Sequence, residues 1–367
     1  MKICWIFPQN KLCGISFYSH KYVGALKKYA DILCVDPDDV IDKKAEALSA
    51  LRQSDIVHIQ YETTFYLKSK RDCYPNVCAA ITCPVVVTLH EVYDQFPGVY
   101  PREAITGKGL VRAIKEHFYD ARHPYITALT KHSAAGFFAD ALFVHCAFQR
   151  EILLKKGIPP EKIIVLPFPI SPGKDTTELN WDRPPLIQLA TTGFINDSFD
   201  YELLMETLEV CKLPWKFTWI GGVRRPDDRL LLKKIQNEIE RRNWAGRFTI
   251  TGEVTDKMRD EILGAAHVYL ALFKYKSSSE SLSVALGSRR LIVATELPLT
   301  REMNAEFPVM LLAPGKASEI AGAIERIVAD ARTRSALMEA MRRSTEKNSY
   351  DSIAQRLTKE YERVLRW

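Results

Sequence analysis

The stretch Lys274-Tyr275-Lys276-Ser277-Ser278-Ser279-Glu280-Ser281-Leu282-Ser283-Val284-Ala285-Leu286-Gly287-Ser288-Arg289-Arg290-Leu291-Ile292-Val293-Ala294-Thr295 decides how this chain is read. The apolar run Val268 to Phe273 just before it reads as a strand ending in a loop rich in Ser and Lys. That loop opens a short helix around Leu282 to Ser288. Arg289 and Arg290 follow, then a second apolar strand, Leu291 to Ala294. A strand, a Ser-rich loop and a helix N-terminus together form an anion site. The first helical N–H groups have no acceptor within the helix, and the aligned peptide dipoles favour negative charge there. Lys274 and Lys276 add full positive charges, so a diphosphate is the guest such a site suits. Ser277 and Glu280 also satisfy the S-x-x-E capping box. The two roles are compatible, because a capped helix still presents N–H groups.

The chain has 367 residues, which points to two domains rather than one. Its 47% hydrophobic content is ample for two cores and far from disorder. No run of 18 apolar residues occurs, so no membrane-spanning helix is expected. The opening Met1-Lys2-Ile3-Cys4-Trp5-Ile6-Phe7-Pro8 is too short for a signal-peptide core and reads as a first strand, consistent with a cytoplasmic protein. A net charge of +6 permits attraction to phosphate or anionic lipid without requiring it. No dense basic patch with interleaved aromatics marks a nucleic-acid binder. The eight cysteines form no C-x-x-C pair, and Cys73, Cys78 and Cys83 step by five residues, about 140° apart around a helix. Free buried thiols, rather than a metal site, are expected.

Taken in order, the first half alternates strand and helix. Lys2 to Pro8 is a strand. A polar turn, Gln9 to Ser16, holds Gly14, and Ser16 is placed to cap a helix over Phe17 to Tyr29. Ile32 to Val35 and Ile56 to Ile59 read as strands, the latter running into Gln60-Tyr61-Glu62. A helix-like stretch leads to Pro84, and Val85 to Leu89 is a fully apolar strand ending at His90-Glu91. Runs apolar on both sides argue a parallel sheet covered on both faces. His90 stands at the carboxyl end of a strand, where open parallel sheets bind ligands; a histidine there also suits simple backbone hydrogen bonding. Gln60 and Glu62 share that position on the neighbouring strand. Residues 109–122 form a basic amphipathic helix able to lie on an anionic membrane surface or to pack on its own domain.

The proline-rich segment 171–185 reads as a linker. The second half then repeats the rhythm. Leu186 to Thr191 leads into the turn Thr192 to Ser198, Lys216 to Ile220 ends in Gly221-Gly222, and Phe248 to Ile250 ends in Thr251-Gly252-Glu253-Val254. Two helices with a break near Asp330 fill 317–347, and a last helix runs to Trp367. Two such halves imply an α/β protein with two Rossmann-like domains, 1–170 and 186–349, whose parallel sheets face a central cleft.

At this point the chain resembles the GT-B glycosyltransferases, in particular the retaining group called family 4. The resemblance rests on motifs in the same order across nearly the whole chain. They are the Gly14 loop, His90, Phe143-Val144-His145-Cys146, Gly157-Ile158-Pro159-Pro160-Glu161-Lys162-Ile163, Thr192-Gly193-Phe194-Ile195, Trp219-Ile220-Gly221-Gly222, Gly252-Glu253-Val254 and the Ser-rich loop before Leu282. The final helix, 350–367, looks like the family's last helix, which crosses back onto the first domain. The resemblance implies a nucleotide-sugar donor on the second domain and a glycan or lipid-linked acceptor on the first, in cell-surface polysaccharide synthesis. The diphosphate would meet Ser277, Ser278, Ser279, Ser281 and the Gly14 loop, with Gly193, Phe194, Gly222, Arg224, Lys274 and Lys276 around it. The nucleoside would lie near Gly252, Glu253 and Val254. His90 would touch the sugar or its leaving phosphate, with Glu280 as the second catalytic candidate and Gln60, Glu62 and Glu91 on the acceptor side. No metal or other cofactor is implied, because fixed N–H groups and cations stabilise the leaving diphosphate.

The chain also departs from the pattern. The family's two glutamates, separated by seven residues in the organising loop, fall on Lys276 and Val284, leaving only Glu280 nearby. The family's Arg and Lys after the glycine of the second half fall on Phe194 and about Phe199, so cation duty passes to Lys274, Lys276, Arg224 or Arg225. Two alternatives follow from these losses. One is a non-catalytic GT-B scaffold in a glycan assembly complex. The other is a GT-B sugar-nucleotide epimerase, for which Glu62, Glu91 and Glu253 are loose acid/base candidates.

Overall fold

A computed structural model of the protein describes residues 1–11, 13–62, 65–68, 71–93, 138–171, 179, 181, 186–224 and 226–366. The chain divides into two units, Met1–Phe168 with Tyr350–Trp367, and Pro169–Ser349. Most of the segment read as a linker, the basic helix at 109–122 and Arg225 lie outside the described residues.

The first unit is built on strands β1 (Lys2–Ile6), β2 (Asp31–Val35), β3 (Ile56–Tyr61), β6 (Val85–Leu89), β7 (Ala141–Val144) and β8 (Ile163–Val165), all parallel, in the order β2-β1-β3-β6-β7-β8. β4 (Leu67–Lys68) and β5 (Arg71–Asp72) form a separate antiparallel pair. Helices α1 (Gly14–Leu26), α2 (Pro37–Ile41), α3 (Ala45–Gln53), α4 (Tyr74–Ala79) and α5 (Ala147–Lys155) fall along this half. Every residue of β3, β6 and β7 is buried, including the polar His58, Gln60 and Thr88, as in strands covered on both faces.

The second unit repeats the plan. Its strands are β9 (Ile187–Thr192), β10 (Trp215–Ile220), β11 (Phe248–Ile250), β12 (Val268–Ala271), β13 (Leu291–Thr295) and β14 (Leu311–Ala313), parallel in the order β11-β10-β9-β12-β13-β14. Its helices are α6 (Tyr201–Val210), α7 (Arg229–Arg241), α8 (Asp256–Ala265), α9 (Glu280–Gly287), α10 (Pro298–Ala305), α11 (Ala317–Ala329) and α12 (Ala331–Lys347). Strand order reverses between β9 and β12, the switch point where such sheets bind ligands outside their carboxyl ends. The first unit switches between β1 and β3. Its two-strand excursion gives the flavodoxin-like order, whereas the second unit has the 3-2-1-4-5-6 order of nucleotide-binding sheets. The ends of the second unit are tied together by Ile170 N–H donating to the Asn348 carbonyl at 2.7 Å.

The last helix, α13 (Tyr350–Val364), belongs to the first unit. It buries Ile353, Ala354, Leu357 and Tyr361 against Ile3, Trp5, Tyr22 and Phe143. The C-terminal crossing-back helix is thus part of the fold.

Three local expectations are corrected. Helix α1 begins at Gly14, and its N-cap is Cys13, whose Sγ accepts from Ser16 N–H; Ser16 lies inside the helix instead of capping it. Helix α9 begins at Glu280 and is capped by Ser279, whose Oγ accepts from Leu282 N–H at 3.2 Å. Ser277 therefore lies before the cap, and the box reading of Ser277 and Glu280 fails by two residues. The stretch before Pro84 holds the short β4–β5 pair and a six-residue α4. A proline at the start of α4 fixes its first turn.

Candidate active site

In the second unit, the loops leaving β9, β10 and β11 are stacked backbone on backbone. Gly193 has φ +121 and donates its N–H to the Ile220 carbonyl at 3.0 Å. Gly221 has φ +141, and a Cβ there would lie 2.2 Å from the Gly193 carbonyl oxygen. A Cβ on Gly222 would lie 3.2 Å from Gly252 Cα, and Ile195 N–H donates to the Gly222 carbonyl at 2.9 Å. Trp219 Nε1–H donates to the Gly193 carbonyl at 3.0 Å from beneath. Side chains are excluded, so the carboxyl edge beside the switch point presents bare peptide groups.

The N-terminus of α9 meets this edge. Ser281 Cβ is 3.8 Å from where a Gly193 Cβ would stand. The Ser279 cap occupies the Leu282 N–H, and Ser279 and Ser281 hydroxyls are 3.0 Å apart. Ser277 and Ser279 are buried, Ser278 and Ser281 half-buried. Glu280, the first helical residue, is half-buried and puts a carboxylate at the positive end of the helix.

The expected cations divide. Lys274 stands 3.8 Å from Asp200 and 3.5 Å from Glu202, so its charge is already shared with carboxylates at the start of α6. Lys276 Nζ lies 5.8 Å from the centre of the Phe273 ring. The exposed Arg224 guanidinium lies 5.8 Å from the centre of the Phe194 ring. A positive charge therefore returns to the glycine turn at Phe194, carried from the β10 loop. Phe199 is core, packed on Trp219 with ring centres 4.6 Å apart. Glu253 is exposed and Val254 packs half-buried on the core beside Gly252, which has φ +69.

In the first unit, His90 follows β6 and is 4% exposed. Its Nε2 is 2.9 Å from Gln60 Oε1 at the end of β3. Gln60 accepts with its carbonyl, so His90 Nε2 donates and, in a neutral ring, Nδ1 carries the lone pair. The ring is wedged edge-on against Tyr18 of α1 and lies 5.4 Å from His145. Burial pushes the His90 pKa well below the ordinary histidine value, and His145 and His58 add to the effect. His145 is held to about 4 by burial, opposed by its hydrogen bond to the Leu166 carbonyl at 3.2 Å. His58 is lowered to about 3, mainly by burial. It bonds Tyr361 of α13 on one side and Thr88 Oγ1, at 2.6 Å, on the other. All three imidazoles are neutral near pH 7. Glu62 is half-buried just past β3, Glu91 is exposed just past His90, and Gly14 opens α1.

The structure therefore gathers Gly193, Phe194, Gly222, Arg224, Gly252 and Ser281 at one sheet edge of the second unit, and His90, Gln60, Glu62 and Glu91 at the carboxyl edge of the first. The sequence motif Phe143-Val144-His145-Cys146 includes His145 without giving it a site role, and Tyr18 stands in no motif. The signal for His145 was available, since it ends β7 as His90 ends β6. Tyr18 carried none, being one aromatic among several on α1. Among the described residues no group of His, Cys, Asp and Glu is arranged to hold a metal ion, and no helix is long and apolar enough to cross a membrane.

No family model matches the sequence, and no curated protein matches it. Solved structures do. HepE of Anabaena, determined in complex with UDP and glucose, superposes over 99% of this chain and 99% of its own with a TM-score of 0.67 at 13% identity. Sucrose-phosphate synthase from Thermosynechococcus elongatus covers 99% of this chain and 98% of its own, with a TM-score of 0.69 at 15% identity. A glycosyltransferase from Rickettsia africae gives 0.68 at 13% identity, with 99% and 98% covered. At such identities the likeness establishes the fold, and the chain has the GT-B fold that these proteins share.

Proposed function

We propose that the protein is a glycosyltransferase that takes a sugar from a nucleoside-diphosphate donor and passes it to a glycan or lipid-linked acceptor in cell-surface polysaccharide synthesis, with retention at the anomeric carbon. The observation that carries the reading is the side-chain-free edge made by Gly193, Gly221, Gly222 and Gly252, set against the start of α9 at the switch point. The Gly193 and Gly221 N–H groups are already held, by the Ile220 carbonyl and by Thr251 Oγ1 at 3.1 Å, so the side-chain-free edge provides close approach and the helix terminus provides the donors that suit a diphosphate. The GT-B neighbour HepE, solved with UDP and with UDP-glucose, supports a uridine or similar nucleotide.

On this reading Ser281, Ser279 and the glycine turns cradle the diphosphate, and Arg224 supplies the charge that Phe194 lacks. The nucleoside lies along Gly252, Glu253 and Val254. Neutral His90, with a lone pair at Nδ1, accepts from a sugar hydroxyl; an uncharged ring is a poor partner for a phosphate. Glu280 serves the sugar as well, because a carboxylate beside a diphosphate repels it. Gln60, Glu62 and Glu91 serve the acceptor. Leaving-group charge is met by N–H groups and a cation, so the reaction proceeds without a metal.

A thermal-shift series against UDP, GDP, ADP and their sugars tests the reading, since a ligand of the folded state raises the melting temperature by mass action. A shift with one base family supports it; no shift with any removes it. Product NMR reports retention, and EDTA that leaves turnover unchanged reports metal independence. A second reading, a non-catalytic scaffold, is favoured by Lys276 and Val284 standing where the family carries glutamates. It predicts nucleotide binding without donor hydrolysis or transfer.

A further inference from the structure

We propose that the first two turns of α7 form a contact surface for an anionic lipid membrane. Leu230 is 72% exposed, the most exposed large apolar side chain among the described residues. Arg229, Lys233 and Lys234 are exposed beside it. At three and four residues from Leu230, Lys233 and Lys234 share its face of the helix, away from the buried Ile235 and Ile239, and Arg229 flanks that face. Farther along α7, Arg241 and Arg242 are paired with Glu238, and Arg242 also with Glu209. Arg229, Lys233 and Lys234 make no ion pair or hydrogen bond among the described residues.

Asp227 and the N-cap Asp228 stand just before α7, where acidic residues suit the positive helix end. Arg229 follows at the first helical position, and Lys233 and Lys234 lie in the second turn. None of these three cations enters an ion pair inside the unit among the described residues, and Leu230 buries little of its side chain there. Their combination, a ring of cations around one protruding apolar tip, suits lipid: phosphate headgroups meet the charges and the leucine enters the acyl boundary. An acidic protein surface would match the charges but offers nothing to the leucine. The surface does not depend on the proposed reaction.

The test is co-sedimentation of the full chain with phosphatidylcholine vesicles, with and without phosphatidylglycerol. Wild-type protein is expected to bind only the anionic vesicles and to be released by salt. Leu230→Ser/Lys233→Ala/Lys234→Ala should bind about 100-fold more weakly, at roughly fivefold for each lost cation and a further severalfold for the leucine. Its melting temperature should be nearly unchanged, because all three side chains are exposed and unpaired; that separates lost docking from lost folding. Wild-type protein that ignores anionic vesicles, binds both kinds equally, or binds as well after the triple substitution overturns the proposal. Binding to polyglutamate in place of vesicles overturns it in favour of an acidic protein partner.

Discussion

The carbonyl oxygen of Gly193 stands 2.2 Å from where a Cβ on Gly221 would have to be, so the loops leaving β9 and β10 touch through backbone alone. Gly221 also has φ +141, a region closed to L side chains. Gly221→Ala should therefore cost roughly 3 kcal/mol or more and splay the two loops apart. Gly252 provides the contrast. Its φ is +69 but nothing lies within 4 Å of its would-be Cβ, so Gly252→Ala should cost only about 1–2 kcal/mol of left-handed strain, and Gly252→Asn less. Chemical denaturation of the three variants checks the order. Equal losses at Gly221 and Gly252 would show that close approach is not what the glycine at 221 serves.

The same edge shows what was and was not legible in the sequence. Period and apolar runs give the two parallel sheets, because strands such as Val85–Leu89, buried on both faces, leave nothing else for those residues to do. Glycines after strands mark the turns at 193, 221 and 252 for the same reason: positive φ has few other occupants. Cap positions were misread by two or three residues at Ser16 and Ser277, since runs such as Ser277-Ser278-Ser279 offer several hydroxyls and only packing chooses among them. The His58–Tyr361 bond joins residues 303 positions apart. No local pattern encodes such a pair; it exists only once α13 has returned to the first sheet.

Arg224 and Phe194 form the pair on which donor grip is expected to depend. A charge-assisted contact to a diphosphate is worth about 1.5–3 kcal/mol, so Arg224→Ala should raise the donor KM or nucleotide Kd by roughly 10- to 100-fold. The ring under an exposed guanidinium contributes about 0.5–1 kcal/mol, so Phe194→Leu should weaken binding only about two- to fivefold. Once Arg224 is gone, the Phe194 substitution should have almost no further effect. Calorimetric titration of nucleotide into the four proteins measures this coupling; additive losses would mean that the two side chains act apart.

His90 is expected to affect turnover without gripping the nucleotide. His90→Ala should lower kcat about 100-fold while leaving nucleotide Kd within about twofold, as general positioning effects on chemistry typically run. The His90 pKa is pushed far below the ordinary histidine range by burial, so the ring stays neutral across neutral pH. Its loss should therefore leave the shape of the kcat/KM profile between pH 6 and 8 unchanged, lowering it throughout. A histidine-like limb near pH 6.5 that disappears in the variant would show instead that His90 changes charge during the reaction.

Acid stability follows from the same buried rings, with the sign fixed by proton uptake. Unfolded histidines titrate near 6.5, whereas His58 titrates at about 3 and His145 at about 4 in the folded protein. Below pH 6.5 the unfolded chain binds protons that the folded chain refuses, so stability is complete above that pH and falls as pH drops. Each ring contributes up to about 1.4 kcal/mol per pH unit, ending near pH 4 for His145 and near pH 3 for His58. Carboxylates held low by partners, such as Asp351 beside Lys28, begin to contribute only near their own lower range, so pH 6.5 to 5 isolates the histidines. His58→Asn should weaken the tie to Tyr361 and Thr88 and lower stability at pH 7, yet flatten the pH slope by about 1.4 kcal/mol per unit. Urea unfolding at several pH values in this window measures both. Parallel curves for wild type and variant would mean that His58 takes up its proton in the folded protein as readily as in the unfolded chain, and that the His58–Tyr361 contact is open to water.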